Sequence, residues 1–356
     1  MSPEVTAAII AAGVSFLTLI GTLAAQYFGR RATKRDTKEA FEEQRKQLDK
    51  TLTAQSDQLD RTLTEQRTRT LNERFATAAE QLGSDKATVR LAGVYAMAGL
   101  ADDWVENRQT CVDVLCAYLR MPYEPDPGED ASEPQRLAFR AIRQARHTVI
   151  RVIAAHLQKR ARVSWKGLDF DFTSVVFDGG DFSFAQFSGG EVDFSGAQFS
   201  SGTVDFSYAQ FSGSQVYFSG VHFSGGNVNF AFTEFSDGVV YFGDAQFSGA
   251  EVYFGSAEFS GGEVYFRSAE FSGGKVSFYG ALFPGGGVYF FGAQFSGGMV
   301  NFNGAQFSGA RVDFDNAQFS GGTIDFSDAG DWSVPPAFPW TRTPPPGVKL
   351  PKGRSI

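Results

Sequence analysis

The chain has 356 residues, with 37 Phe and 40 Gly, and a formal net charge of −8 at pH 7. That charge is uneven: residues 169–328 hold 18 acidic against 3 basic side chains (Arg267, Lys275, Arg311), a net of −15. Two or three structural units with different partners are implied, and two cysteines with three histidines exclude a disulfide scaffold or a zinc-finger framework.

Residues 5–28 carry no charge and are mostly apolar, and basic residues (Arg30, Arg31, Lys34, Arg35, Lys38) follow them. About 20 such residues are enough to span a bilayer, so a transmembrane anchor is expected at 1–29. A signal peptide is disfavoured because residues 1–4 lack Lys or Arg. The positive-inside rule then gives a single-pass protein of the inner (plasma) membrane, with its N-terminus outside and the later domains in the cytoplasm.

Residues 30–70 read as a polar helix or coiled-coil stalk. QLDKTLT at 47–53 recurs as QLDRTLT at 58–64, placing Phe41, Leu48, Leu52, Leu59 and Leu63 on one stripe. An eleven-residue period is about 3.67 residues per turn, which favours a straight or slightly right-handed coil and a homo-oligomer through this stalk.

Residues 71–164 read as a small all-α domain. Helices are expected up to Leu82, through 89–100, over 108–119 and over 135–158, with a Pro-rich acidic loop at 122–134. Arg136, Arg140, Arg143, Arg146 and Arg151 on the last helix read as a solvated face. Cys111 and Cys116 read as a reduced structural pair, and His147 and His156 as ordinary residues. There is no Ser/His/Asp set, phosphate loop or metal cluster, so no catalysis, cofactor or metal is expected.

From Phe187 to Phe319 a twelve-residue unit recurs, as in AQFSGGEVDFSG at 185–196 and AEFSGGEVYFRS at 257–268. Each unit carries two inward-facing pairs, Ala-x-Phe and Val-x-Phe, because residues two apart share a face of a strand. Phe-to-Phe steps alternate between five and seven, and Ser-Gly-Gly lies in the longer one. A coil of one unit is too narrow for two Phe and a Val, so two units with four sides, about 24 residues, make one coil. The outward position between Val and Phe supports this: Tyr217, Tyr241, Tyr265 and Tyr289 recur in every second unit and should stack as one column. These four are the candidate interaction surface. Residues 167–182 read as a divergent first coil of a 165–329 solenoid. Within 330–356, Trp332, Phe338 and Trp340 are expected to cover the last coil, and residues from about Thr341 to be disordered.

The A-x-F-S-G and V-x-F-S motifs resemble pentapeptide-repeat proteins, in the Phe-rich variant common among actinobacteria. The 71–104 segment, LNERFATAAEQLGSDKATVRLAGVYAMAGLADDW, is similar to that of a membrane-anchored subgroup. The resemblance implies a right-handed quadrilateral β-helix without catalysis; some members bind DNA gyrase by mimicking duplex DNA. The alternating 5 and 7 steps depart from the usual pattern, so the coil is not the regular one of the family. The expected function is a membrane-tethered, non-enzymatic scaffold presenting an acidic solenoid to an unknown cytoplasmic protein. The alternative is a DNA-mimic regulator of a topoisomerase or other DNA-binding protein. Direct nucleic-acid binding by so acidic a rod is not expected.

Overall fold

The computed structural model describes residues 36–353, apart from 125 and 342. The chain divides into two units, Met1–Thr70 and Leu71–Ile356. Four helices precede the strands: α1 Asp36–Leu82, α2 Ala87–Asp103, α3 Arg108–Arg120 and α4 Glu133–Leu157.

The expected membrane anchor is corrected. Among the described residues no helix is long and apolar enough to cross a membrane. The long helices α1 and α4 carry charged or amide side chains along most of their length, whose transfer into hydrocarbon is prohibitive. The segment assigned as an anchor, 5–28, lies outside the described residues. The described fold therefore contains no transmembrane element, and the single-pass placement in the plasma membrane is unsupported.

In the second unit, α2, α3 and α4 pack around Val94, Met97, Val112, Leu115, Val149 and Ile153, all fully buried. Gly93 of α2 crosses the end of α1 so closely that a Cβ there would lie 2.5 Å from the Leu82 nitrogen. Ser132 and Gln135 form a reciprocal capping box that starts α4 after the acidic loop.

The strands form a β-solenoid of four parallel sheets, each built from one short strand per coil. In coil order the first face runs through 191–193, the second through 198–199, the third through 203–205 and the fourth through 210–212. Strands pair in register at intervals of 24, as in Val216↔Val240 and Phe223↔Phe247, so the coil length read from the sequence holds. The interior holds four columns of Phe rings. Phe194, Phe218, Phe242, Phe266, Phe290 and Phe314 stack at 4.5–4.8 Å. Each meets the neighbouring column edge-on, as in Phe218–Phe230 at 5.8 Å and 87°. Offset-stacked and edge-to-face contacts are the two favourable geometries for aromatic quadrupoles, and this lattice uses both.

The Gly of the longer step lies where successive coils touch. A Cβ on Gly202, whose φ is +67°, would sit 2.3 Å from the carbonyl oxygen of Asp178 one coil below. Only glycine tolerates both that backbone and that approach.

The first coil is shorter. Phe170 pairs with Val192 and Phe177 with Phe199, a spacing of 22 rather than 24. Its missing residues lie in the step from Phe177 to Phe182, where Gly179 and Gly180 pass beneath His147 and Ile150 of α4. The shortened corner is thus the seat of the helical cap. At the far end, Phe338 stacks on Phe314 at 5.3 Å, while Trp332 and Trp340 meet Phe307 and Phe319 edge-on. The tail differs from the expected disorder. Val348–Lys349 adds a strand to the third face, pairing with Ile324 and Asp325, and Lys349 Nζ lies 3.2 Å from Asp325.

Candidate interaction surface

A four-sided coil must turn sharply at each corner. Where the five-residue steps turn, the Ala N–H closes a four-residue turn onto the Phe carbonyl, as in Ala185 N to Phe182 O at 3.1 Å. Two devices stabilise these corners. An Asp or Asn before the turn accepts the N–H two residues on: Asp193 from Ser195, Asp205 from Ser207, Asn229 from Ala231, Asn301 from Asn303 and Asp325 from Ser327, at 2.7–3.0 Å. The third turn residue takes a positive φ, which glycine supplies in Gly196, Gly220 and Gly292.

Both devices are overridden in specific places, and in each case aromatic residues are among the replacements. Among the described residues eight non-glycines have positive φ; five are Ser, Asp or Asn, and three are Phe184, Tyr208 and Phe232. These three stand one coil apart, at one corner between the third and fourth faces. Their rings stack at 5.0 and 4.8 Å within 6° of parallel, and they stay 57, 47 and 51% exposed. A left-handed backbone costs a side-chain-bearing residue about 1–2 kcal/mol, and an aromatic stacking pair returns about 0.5–1.5 kcal/mol. Glycine occupies the same corner in later coils, at Gly280 and Gly304. Folding alone therefore gives no net reason for three large, half-exposed rings.

The sequence-predicted tyrosines form the second ladder. Tyr217, Tyr241, Tyr265 and Tyr289 pair in register on the first face and stack at 5.0, 5.6 and 4.9 Å. They stand where other coils carry the capping Asp. The Tyr217 hydroxyl donates to Gln215 and that of Tyr265 to Glu263. The bond to Glu263 holds the Tyr265 proton and pushes its pKa up to about 12.

The corner ladder runs between two polar rows. On the third face lie Asp181, Asp205 and Asn229, with Asn229 Nδ2 donating to Asp205 at 3.1 Å. On the fourth face Lys166 donates to Gln186, Gln186 to Gln210, and Gln210 to Glu234 at 2.7 Å. The surface is thus an apolar ridge flanked by acceptor-rich rows.

The remaining polar residues serve the helical cap. Asp178 accepts from Tyr123 at 2.6 Å, Arg143 at 2.8 Å and His147 at 2.9 Å. Burial alone would raise its pKa. The hydrogen bonds of His147 and Tyr123 and the charges of His147 and Arg143 outweigh that and hold it below the usual carboxylate range. Arg146, 3% exposed, donates to the carbonyls of Leu119 and Val176, and its guanidinium lies 4.2 Å over the Tyr123 ring. The solvated-face reading of the α4 arginines fails for Arg143 and Arg146, which satisfy open carbonyls on the first coil. The side chain of Gln109 likewise exchanges two hydrogen bonds with the backbone of Asp169, at 2.9 and 3.0 Å. His156 stacks on Trp165 at 3.9 Å, and Trp165 donates to Asp102 at 3.0 Å.

Cys111 and Cys116 are buried and free. Burial, with Asp113 nearby, pushes their thiols up to about 11 and about 12, which makes them poor nucleophiles. Among the described residues no group of three or more His, Cys, Asp or Glu is placed to hold a metal ion.

Sequence comparison agrees with this geometry. Residues 172–222 match a family model described as pentapeptide repeats (9 copies). Neither the curated proteins nor the solved structures gave a match.

Proposed function

We propose that this protein is a non-enzymatic interaction scaffold whose solenoid presents stacked aromatic ladders to a protein partner. A pentapeptide-repeat β-solenoid is typically structural or an interaction surface rather than a catalytic one, which supports the reading. The observation that carries it is the corner ladder, Phe184, Tyr208 and Phe232, set on left-handed backbone that glycine would occupy at lower cost. The tyrosine column, Tyr217 to Tyr289, is the second part of the surface. Aromatic side chains give large contact area at small entropy cost and dominate interface energetics. The acceptor rows beside the corner select a partner with apolar side chains flanked by Lys or Arg.

The test is a photo-crosslinking amino acid placed at Tyr208, and separately at Gln198 on the second face, in the full chain in its own cells. A discrete adduct from position 208 and none from position 198 is the expected result. Equal adducts from both, or none from 208, removes the corner as the contact surface.

A second reading, a DNA-mimic regulator of a topoisomerase or another DNA-binding protein, draws on the solenoid's net charge of −15. It is the weaker one, because Asp181, Asp193, Asp205, Asp313 and Asp325 already serve as corner caps. Inhibition of gyrase supercoiling by the full chain at stoichiometric ratio would favour it over the first.

A further inference from the structure

The first unit holds an apolar seam that the solenoid does not explain. On α1, Phe41, Leu52, Leu59 and Leu63 are at least half exposed, and Leu48 is exposed as well. With eleven residues in three turns, each step advances about 98°, so 48 and 59 define a line and 52 and 63 lie about 33° to one side. The position about 33° to the other side holds Gln44, Gln55 and Gln66. The seam thus repeats as Leu, Leu, Gln and carries no charge from residue 41 to residue 66.

Thr51 and Thr62 flank this seam on the glutamine side. Their hydroxyls donate to the carbonyls of Gln47 and Gln58 four residues back, both at 2.9 Å. The hydroxyls are therefore satisfied within the helix, leaving the methyl groups to extend the apolar strip. A glutamine amide both donates and accepts, so it can pair with its own copy, and a polar residue inside an apolar seam specifies register.

The flanking charges choose the orientation. In an antiparallel pair the same side of the seam meets itself, bringing Arg45 against the other copy's Arg67 and Asp49 against its Asp60. In a parallel pair each side meets the opposite one, bringing Arg45 and Arg67 against threonines and Asp49 and Asp60 against Gln47 and Gln58. Like charges across a helix pair are destabilising, so only the parallel arrangement is free of repulsion.

We infer that α1 pairs with a second copy of this chain as a parallel, in-register coiled coil over residues 41–66. Such a pair doubles the number of solenoids per assembly, so two weak contacts to one partner reinforce each other through a raised effective concentration.

The test is oxidative crosslinking of the full chain in cells, with Gln44→Cys and Gln66→Cys made separately. Each variant alone is expected to give a disulfide-linked band at twice the chain mass, while the parent chain, whose cysteines are buried, gives none. Adding Leu52→Asp and Leu59→Asp to Gln66→Cys should abolish that band. Crosslinking only when both cysteine variants are co-expressed would show antiparallel pairing and overturn the orientation. No crosslink in any combination would overturn the self-association itself.

Discussion

The helical cap and the solenoid it covers are held together by opposite strategies. In the solenoid every coil repeats the same contacts: a Phe ring between its equivalents above and below, edge-on to the next column. In the cap the decisive contacts occur once. Asp178 gathers Tyr123, Arg143 and His147, and Arg146 closes two carbonyls. Repetition makes stability redundant and local, as expected of a quasi-one-dimensional fold, whereas single contacts concentrate it in a few residues. The surface follows the same division. Where the repeat is regular its outward residues cap corners, and where it departs from its own rule, aromatic rings appear.

The largest effect should come from the repeat interior. Phe242→Ala removes a fully buried ring from the column and should cost about 3–5 kcal/mol in denaturant unfolding. Phe218→Ala and Phe266→Ala should cost nearly the same; a spread wider than that range would break the picture of equivalent coils. Asp178→Ala should cost somewhat less, about 2–4 kcal/mol, by leaving Arg143 and Tyr123 without their acceptor. Its loss should loosen the helical cap while the central coils keep their hydrogen-exchange protection.

The same carboxylate sets a pH dependence. Its folded pKa is depressed, so its stabilisation is complete above the unfolded carboxylate value of about 4 and is lost as pH falls through the lower folded value. Acid titration of stability should therefore steepen below about pH 4 in the parent and flatten in Asp178→Asn. Identical profiles would remove Asp178 as the hub.

The repeat was legible because its chemistry is periodic. Alternating steps of five and seven, and tyrosine in one register of two, were enough to read a four-sided coil of two repeat units. The departures were not. The shortened first coil exists because α4 rests on Gly179 and Gly180, and nothing local announces that. Arg143 and Arg146 looked solvated because their acceptors, Asp178 and Val176, lie 30 to 35 residues further along the chain. The ordered strand at Val348–Lys349 was hidden by its Pro-rich surroundings. The apolar N-terminal stretch invited a membrane reading that no described helix supports. The corner ladder did carry a signal: Phe184, Tyr208 and Phe232 recur once per coil at a position that holds Ser256, Gly280 and Gly304 in later coils. The many Phe that fill the core masked the two that stand in this ladder.

The central claim is that this ladder serves binding and not folding, and the combined variant Phe184→Gly, Tyr208→Gly, Phe232→Gly tests it most directly. Relief of three left-handed side chains should at least offset two lost stacking pairs, so unfolding free energy should fall by no more than about 2 kcal/mol from the parent while partner capture is lost. A variant that unfolds far more easily, or one that retains its partner, would contradict the account.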